Sequence, residues 1–316
     1  HMHRFPDGET LVRIEQPVEG RRIVLACTLD RPDDKTLALL FAADAARELG
    51  ATSVGLVAPY LAYMRQDIRF HPGDAITSRS YARMLSASLD WLVTVDPHLH
   101  RWDRLDRIYT LRSQVVPAAP QIARWLREHV AAPLLVGPDE ESAQWVAQVA
   151  RLADAPHLVM TKTRRGDRDV SVVMDAPPDA AGRTPVLVDD IISTGHTLMA
   201  AAGALREAGL GAPVCVGVHA LFDEAARILD ACLCIVDRAR TDHDHQAIIL
   251  TVQDAVQRMA CICSHVRDLV RAREFPDQVR RRRQFLQFSN PQVVGAWHGL
   301  SRNDSQKIKN RHSWRF

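Results

Sequence analysis

PVLVDDIISTGHTLMAAAGALREAG, residues 185–209, runs from an apolar strand through two aspartates and a short polar turn into an Ala-rich helix. Carboxylates beside a buried strand are costly unless something compensates them. In open α/β sheets, ligands bind beyond the carboxyl ends of the strands, and residues 189–197 fall at such an end. Backbone N–H groups of a turn, with the helix N-terminus, make a concave positive surface suited to phosphate. Ser193, Thr194 and Thr197 bring hydroxyls, and Gly195 allows close backbone approach. Asp189 and Asp190 have the wrong sign for phosphate and are expected to face vicinal ribose hydroxyls. A phosphate at one end and a diol at the other describe a phosphorylated ribose. A helix cap by Asp190 or Ser193 would explain one acid, but not two acids plus the turn.

To either side, short apolar runs alternate with helical patterns. RRIVLACTL (21–29) precedes a helical stretch over 36–50, and SVGLVAP (53–59) follows. WLVTVDPH (91–98), PLLVGPDE (133–140), HLVMTKT, VSVVMD and PVCVGVHALF (213–222) read as further strands. Near-continuous apolar strands separated by helices imply parallel sheets with covered faces. The strands are too many for one comfortable sheet. The expected fold class is α/β, with two doubly wound parallel-sheet domains divided near residues 115–120.

The 316 residues have a formal net charge of +2, too small to point to nucleic acid or a membrane surface, and neither is expected as a partner. No apolar run reaches the roughly 18 residues of a membrane span. His1 and Met2 read as a cloning remnant and are set aside. Cys27, Cys215, Cys232, Cys234, Cys261 and Cys263 form no C-x-x-C pair. Buried thiols in a reducing cytoplasm account for them better than zinc or redox chemistry. After about residue 252, Arg, Gln, His, Ser and Asn replace Ala, Val and Leu, and Arg280–Arg283 stand in a row. A basic helical or disordered tail is expected there.

Residues 185–209 closely resemble the phosphoribosyl-diphosphate (PRPP) motif shared by phosphoribosyltransferases and PRPP synthetases. FPDGE (5–9), APYLAYMRQD (58–67), VDPHLH (95–100), VGPDEES (136–142) and KTRRGDRDV (162–170) follow in the order expected of ribose-phosphate diphosphokinase, that is, PRPP synthetase. The KTR and DDIISTG segments look most like the archaeal-type branch. The resemblance implies two domains of the type I phosphoribosyltransferase kind: an ATP-side domain over 3–116 and a ribose-5-phosphate-binding domain over 117–251, with a catalytic flap at 161–171 and the atypical tail at 252–316. It also implies transfer of the β,γ-diphosphate of ATP to O1 of ribose 5-phosphate, with Mg²⁺ as cofactor, in a cytoplasmic homodimer or larger assembly.

Site residues follow from the same resemblance. Phe5, Asp7, Gly8 and Glu9 contact adenine, generally across a subunit boundary, and Arg65 and Gln66 contact nucleotide phosphate. His98 and Asp139 are associated with the metal. Lys162 and Arg164 are the flap cations, Arg164 also touching ribose 5-phosphate. Asp189, Asp190, Ser193, Thr194, Gly195, His196 and Thr197 hold that substrate. Taken singly, these motifs have plainer readings. D-G is an ordinary turn, Arg65 could pair with Asp67 at the surface, and the KTR segment could be a soluble hairpin.

Four departures stand out, one of them the region after Val236, which fails to match the family and raises a frameshifted or truncated reading of the chain. His196 occupies a position usually held by a small residue, where it either crowds the 5-phosphate or adds a donor. Glu140 and Glu141 replace small residues beside Asp139. Few residues precede Phe5, so the opening βα unit is expected to be missing. A phosphoribosyltransferase using PRPP with a base, or a non-catalytic nucleotide-binding or regulatory relative, is the alternative.

Overall fold

The computed structural model describes residues 1–165, 169–173, 180–221 and 249–250. The expected tail at 252–316 and Cys232, Cys234, Cys261 and Cys263 lie outside the described residues.

The chain opens with a hairpin, β1 (Met2–Arg4) antiparallel to β2 (Thr10–Val12), with Met2 opposite Val12. Contrary to the expectation of an appended remnant, His1 and Met2 take part in the fold. The His1 ammonium donates to the Arg13 carbonyl at 2.7 Å, and the Arg13 N–H donates back to the His1 carbonyl at 2.8 Å, so both residues belong to the ladder.

A four-stranded parallel sheet follows, with β3 (Arg22–Ala26), β4 (Ser53–Ala58), β5 (Trp91–Val95) and β6 (Arg112–Val116) in sequential order. Helix α1 (Pro32–Glu48) links the first pair, and α2 (Thr77–Ser88) links the second. Proline in its first turn, acids Asp33 and Asp34 there and Arg47 in its last turn suit α1 to its dipole. Its Leu39, Ala42, Ala43 and Ala46 pack with Tyr81, Ala82 and Leu85 of α2 against Leu25, Val54, Leu56, Ala58 and Leu92. Parallel crossovers are right-handed, so strands added always on the same side keep their helices on one face. The other face carries Val24, which is 49% exposed.

The second parallel sheet contains β7 (Pro133–Gly137), β8 (His157–Val159), β11 (Thr184–Ile192), β12 (Val214–Ala220) and β13 (Ile249–Leu250), in the order β13-β12-β11-β7-β8. Here the winding reverses. The β7–β8 crossover runs one way through α4 (Ala143–Ala153), and the β11–β12 crossover runs the other through α5 (His196–Glu207). Both faces are therefore covered. Leu135, Val186, Val188 and Val216 pack with α4 and with α3 (Ala119–His129), whereas Leu134, Leu187 and Cys215 pack with α5. Strands β9 (Thr161–Arg165) and β10 (Asp169–Val173) form a separate antiparallel hairpin.

Among the described residues, no helix is long and apolar enough to cross a membrane. Burial pushes the Cys215 thiol up to about 12, which makes it an inert core group.

Candidate active site

Three segments meet at the carboxyl ends of the two sheets. The first is the loop after β5, where Asp96 (φ 31°) and His98 (φ 47°) are both left-handed. Such backbone costs a non-glycine residue about 1–3 kcal/mol and persists only where surroundings hold it. The second is the turn after β7, where Asp139 accepts a hydrogen bond from the Ser142 N–H at 3.2 Å and caps a short 3-10 turn. The third is the end of β11. This strand continues through Ile192, so Asp189 and Asp190 lie inside it rather than beyond it. Consecutive strand residues point to opposite faces, so the two carboxyls have different neighbours.

Asp190, 5% exposed, is directed at the first half of the chain, where its Oδ2 lies 2.5 Å from His98 Nδ1. Burial opposes charge on His98, but the hydrogen bond and negative charge of Asp190, helped by Glu141, raise its pKa above the ordinary imidazole value. The ring also stacks on Trp145 of α4, with centroids 6.2 Å apart and planes 19° apart. Asp189 accepts from the Asp190 N–H at 2.9 Å. Its pKa is driven well up, first by burial and then by the charges of Asp190 and Asp139. Three acids are thus crowded at one place.

The structure brings Arg65 close to this group. Its guanidinium charge is felt by Tyr60 and by His98. Arg65 and Gln66 are both exposed. The surface ion pair between Arg65 and Asp67 is not formed. Asp67 is 3% exposed and accepts from Arg101 Nη1 at 2.9 Å, because the segment after Arg65 turns inward. Gly195 takes φ 75° and opens α5, and Ser193, Thr194, His196 and Thr197 line a hollow of about 30 Å³ with Asp189. The His196 side chain is exposed at its rim.

FPDGE forms the tip of the opening hairpin. Glu9 donates its N–H to Asp7 Oδ1 at 3.0 Å, Gly8 donates to the Phe5 carbonyl at 2.9 Å, and all five residues are exposed. The backbones of Lys162 and Arg164 lie in β9, paired with Val172 and Val170, and their side chains lie outside the described residues.

Among the described residues, no three or more His, Cys, Asp or Glu side chains converge as a metal cage. His98 Nδ1 is committed to Asp190. The crowded carboxylates nonetheless fit a hard cation. Mg²⁺ keeps several waters and needs only one or two carboxylates beside substrate phosphates, and a cation there would offset both the burial and the neighbouring negative charge that raise Asp189.

Sequence reasoning missed His219. It sits on β12 beside Ile191 of β11, 5% exposed, and its Nε2 lies 2.9 Å from the Val95 carbonyl and 3.2 Å from that of Asp96. Its signal was available: a polar residue inside the otherwise apolar run VCVGVHA.

Two family models match the chain, the N-terminal domain of ribose phosphate pyrophosphokinase over residues 1–88 and the phosphoribosyl transferase domain over 113–252. The ribose-phosphate pyrophosphokinase of Methanopyrus kandleri is 36% identical over 230 residues, covering 72% of this chain and 78% of the relative. That of Halobacterium salinarum is 34% identical over 229 residues, covering 71% and 78%. Among solved structures, phosphoribosylpyrophosphate synthetase from Mycobacterium smegmatis superposes with a TM-score of 0.67, covering 82% of this chain and 88% of its own, at 24% identity. That last likeness concerns the fold.

Proposed function

The chain belongs to the ribose-phosphate pyrophosphokinase family, and from that premise we propose that it transfers the β,γ-diphosphate of ATP to O1 of ribose 5-phosphate, releasing PRPP and AMP. In this reaction O1 bonds to the β-phosphorus as the bond to the α-phosphate bridging oxygen breaks, and the O1 proton passes to solvent. The carrying observation is the meeting of Asp139, Asp189 and Asp190 with His98 and Arg65 between the two sheets.

Phosphoryl transfer asks chiefly for positioning and charge neutralisation. Residues 3–116 are assigned to ATP. Arg65 offers a guanidinium fork to its phosphates, with Gln66 beside it, and the exposed tip Phe5, Asp7, Gly8 and Glu9 is presented to the adenine of a neighbouring copy in a homodimer or larger assembly. Residues 117–251 are assigned to the sugar. The turn Ser193–Thr197 receives the 5-phosphate, with His196 adding a donor at its rim, and Asp189 and Asp190 receive ribose hydroxyls. Lys162 and Arg164 on the β9–β10 hairpin neutralise charge on the transferring group.

Mg²⁺, held by Asp139 and the acids beside it, supplies positive charge to the nucleotide phosphates. His98 keeps Asp190 oriented. A cytoplasmic location suits these substrates and a chain whose buried Cys215 is reduced.

Incubation with ATP, ribose 5-phosphate and Mg²⁺ should yield AMP and PRPP in equal amounts, with the yield lost in Lys162→Ala. Failure to form AMP in the unsubstituted chain overturns the proposal, and consumption of PRPP with a nucleobase would instead identify a phosphoribosyltransferase.

A further inference from the structure

We propose that His219 is a positioning residue for this reaction: from β12 its ring holds the strained loop after β5 in the shape that delivers His98 to Asp190. Both partners of Nε2 are carbonyl oxygens, Val95 at 2.9 Å and Asp96 at 3.2 Å, so this nitrogen must carry the hydrogen and donate. Those carbonyls are the last of the strand and the first of the left-handed loop, two residues before His98. A loop with positive φ at both Asp96 and His98 needs an external hold, and His219 provides one from the other half of the chain.

Its location suits that task. In the β11–β12 ladder His219 is opposite Ile191, the residue after Asp190, so one sheet fixes both the acid and the group that places the acid's partner. Tyr60 and His219 pack edge to face, with ring centroids 5.1 Å apart. The Tyr60 hydroxyl in turn feels the charge of Arg65. His219 therefore sits between the loop bearing His98 and the segment bearing Arg65, without itself belonging to the crowd of acids.

The inference rests on the proposed reaction, and the test separates the two. His219→Gln keeps an N–H near the Nε2 position, whereas His219→Leu fills the space without a donor. In the full chain, His219→Leu should lower kcat/KM for ribose 5-phosphate on the order of tenfold to a hundredfold, the scale on which a displacement of about 1 Å is felt. His219→Gln should recover most of that loss. Independently of activity, ¹⁵N-histidine spectra should show the hydrogen-bonded Nδ1 signal of His98 in the unsubstituted chain and in His219→Gln, but not in His219→Leu. Persistence of that signal in His219→Leu, or equal loss of it in both variants, overturns the role whatever the enzyme does. Should His219→Leu not fold, His219→Gln decides alone: a missing His98 signal in a folded His219→Gln overturns it.

Discussion

His98 and Asp190 are 92 residues apart in sequence, yet Nδ1 and Oδ2 meet at 2.5 Å across the junction of the two sheets. The contact joins a strained loop of one half to the last residues of a central strand of the other. Asp190→Asn should leave the fold intact, since an amide fills the same space, and reduce AMP release by about a hundredfold, in line with the loss of a positioned charge. A steady-state AMP assay at saturating ATP measures it.

The same pair sets a pH dependence of stability. The folded-state pKa of His98 is raised, so its contribution is fully present below the unfolded imidazole value of about 6.5 and disappears as pH rises through the higher folded value. Urea midpoints taken from pH 5.5 to 8.5 should fall over that window, and Asp190→Asn should flatten the curve.

Asp96 has the opposite consequence for substitution. Burial pushes its carboxyl up to about 6 from 3.8, against the lowering effect of the Ala118 N–H, with Asp190 adding to the rise. Between those two values the folded chain holds a proton that the unfolded chain has released, so stability declines as pH climbs from about 4 to about 6. Asp96→Asn retains an acceptor for Ala118 and should be more stable at pH 7.5 by on the order of 2 kcal/mol. Chemical denaturation at pH 4 and pH 7.5 checks both the gain and its absence in acid.

Arg101 and Asp67 form a partly buried pair, the Asp67 side chain 1% exposed and that of Arg101 38%. Asp67 Oδ2 is buried without a hydrogen bond, so Arg101 is its main compensation. Arg101→Met should cost about 3 kcal/mol, near the low end for stranding a buried charge. Asp67→Asn added to it should return at least half, which a double-mutant cycle would show.

Gly137 lies under the turn that carries Asp139. A Cβ there would fall 2.6 Å from Ser142 Oγ, the group that donates to the Asp139 carbonyl. Gly137→Ala should cost about 1–2 kcal/mol and raise the Mg²⁺ concentration needed for half-maximal activity. Gly137→Ala with Ser142→Gly relieves the clash and keeps the Ser142 N–H bond to Asp139 but loses the Ser142 Oγ bond to the Asp139 carbonyl, so stability should recover further than metal response.

Much of the architecture was readable because its signals are local. Apolar runs such as PVLVDD and PVCVGVHA mark parallel strands, and Gly195 after Ser193 and Thr194 marks a polar turn before a helix. The pairing of His98 with Asp190, and of Asp67 with Arg101 rather than Arg65, was not readable. Each depends on how two separately folded loops approach one another, and no spacing along the chain encodes that distance. His1 and Met2 were misjudged because ladder hydrogen bonds are made by backbone, which leaves no mark in side-chain pattern. The direction of winding was equally hidden, since strand order is decided by packing.

The helix-free face of the first sheet is open only along its β3 edge, around Val24, since Val57, Val93 and Val95 on the same face are buried. Whatever comes to lie over Val24 does so without touching the reacting groups, so clothing and chemistry can evolve on separate schedules. A polar residue at position 24 would then alter solubility while leaving turnover as it was.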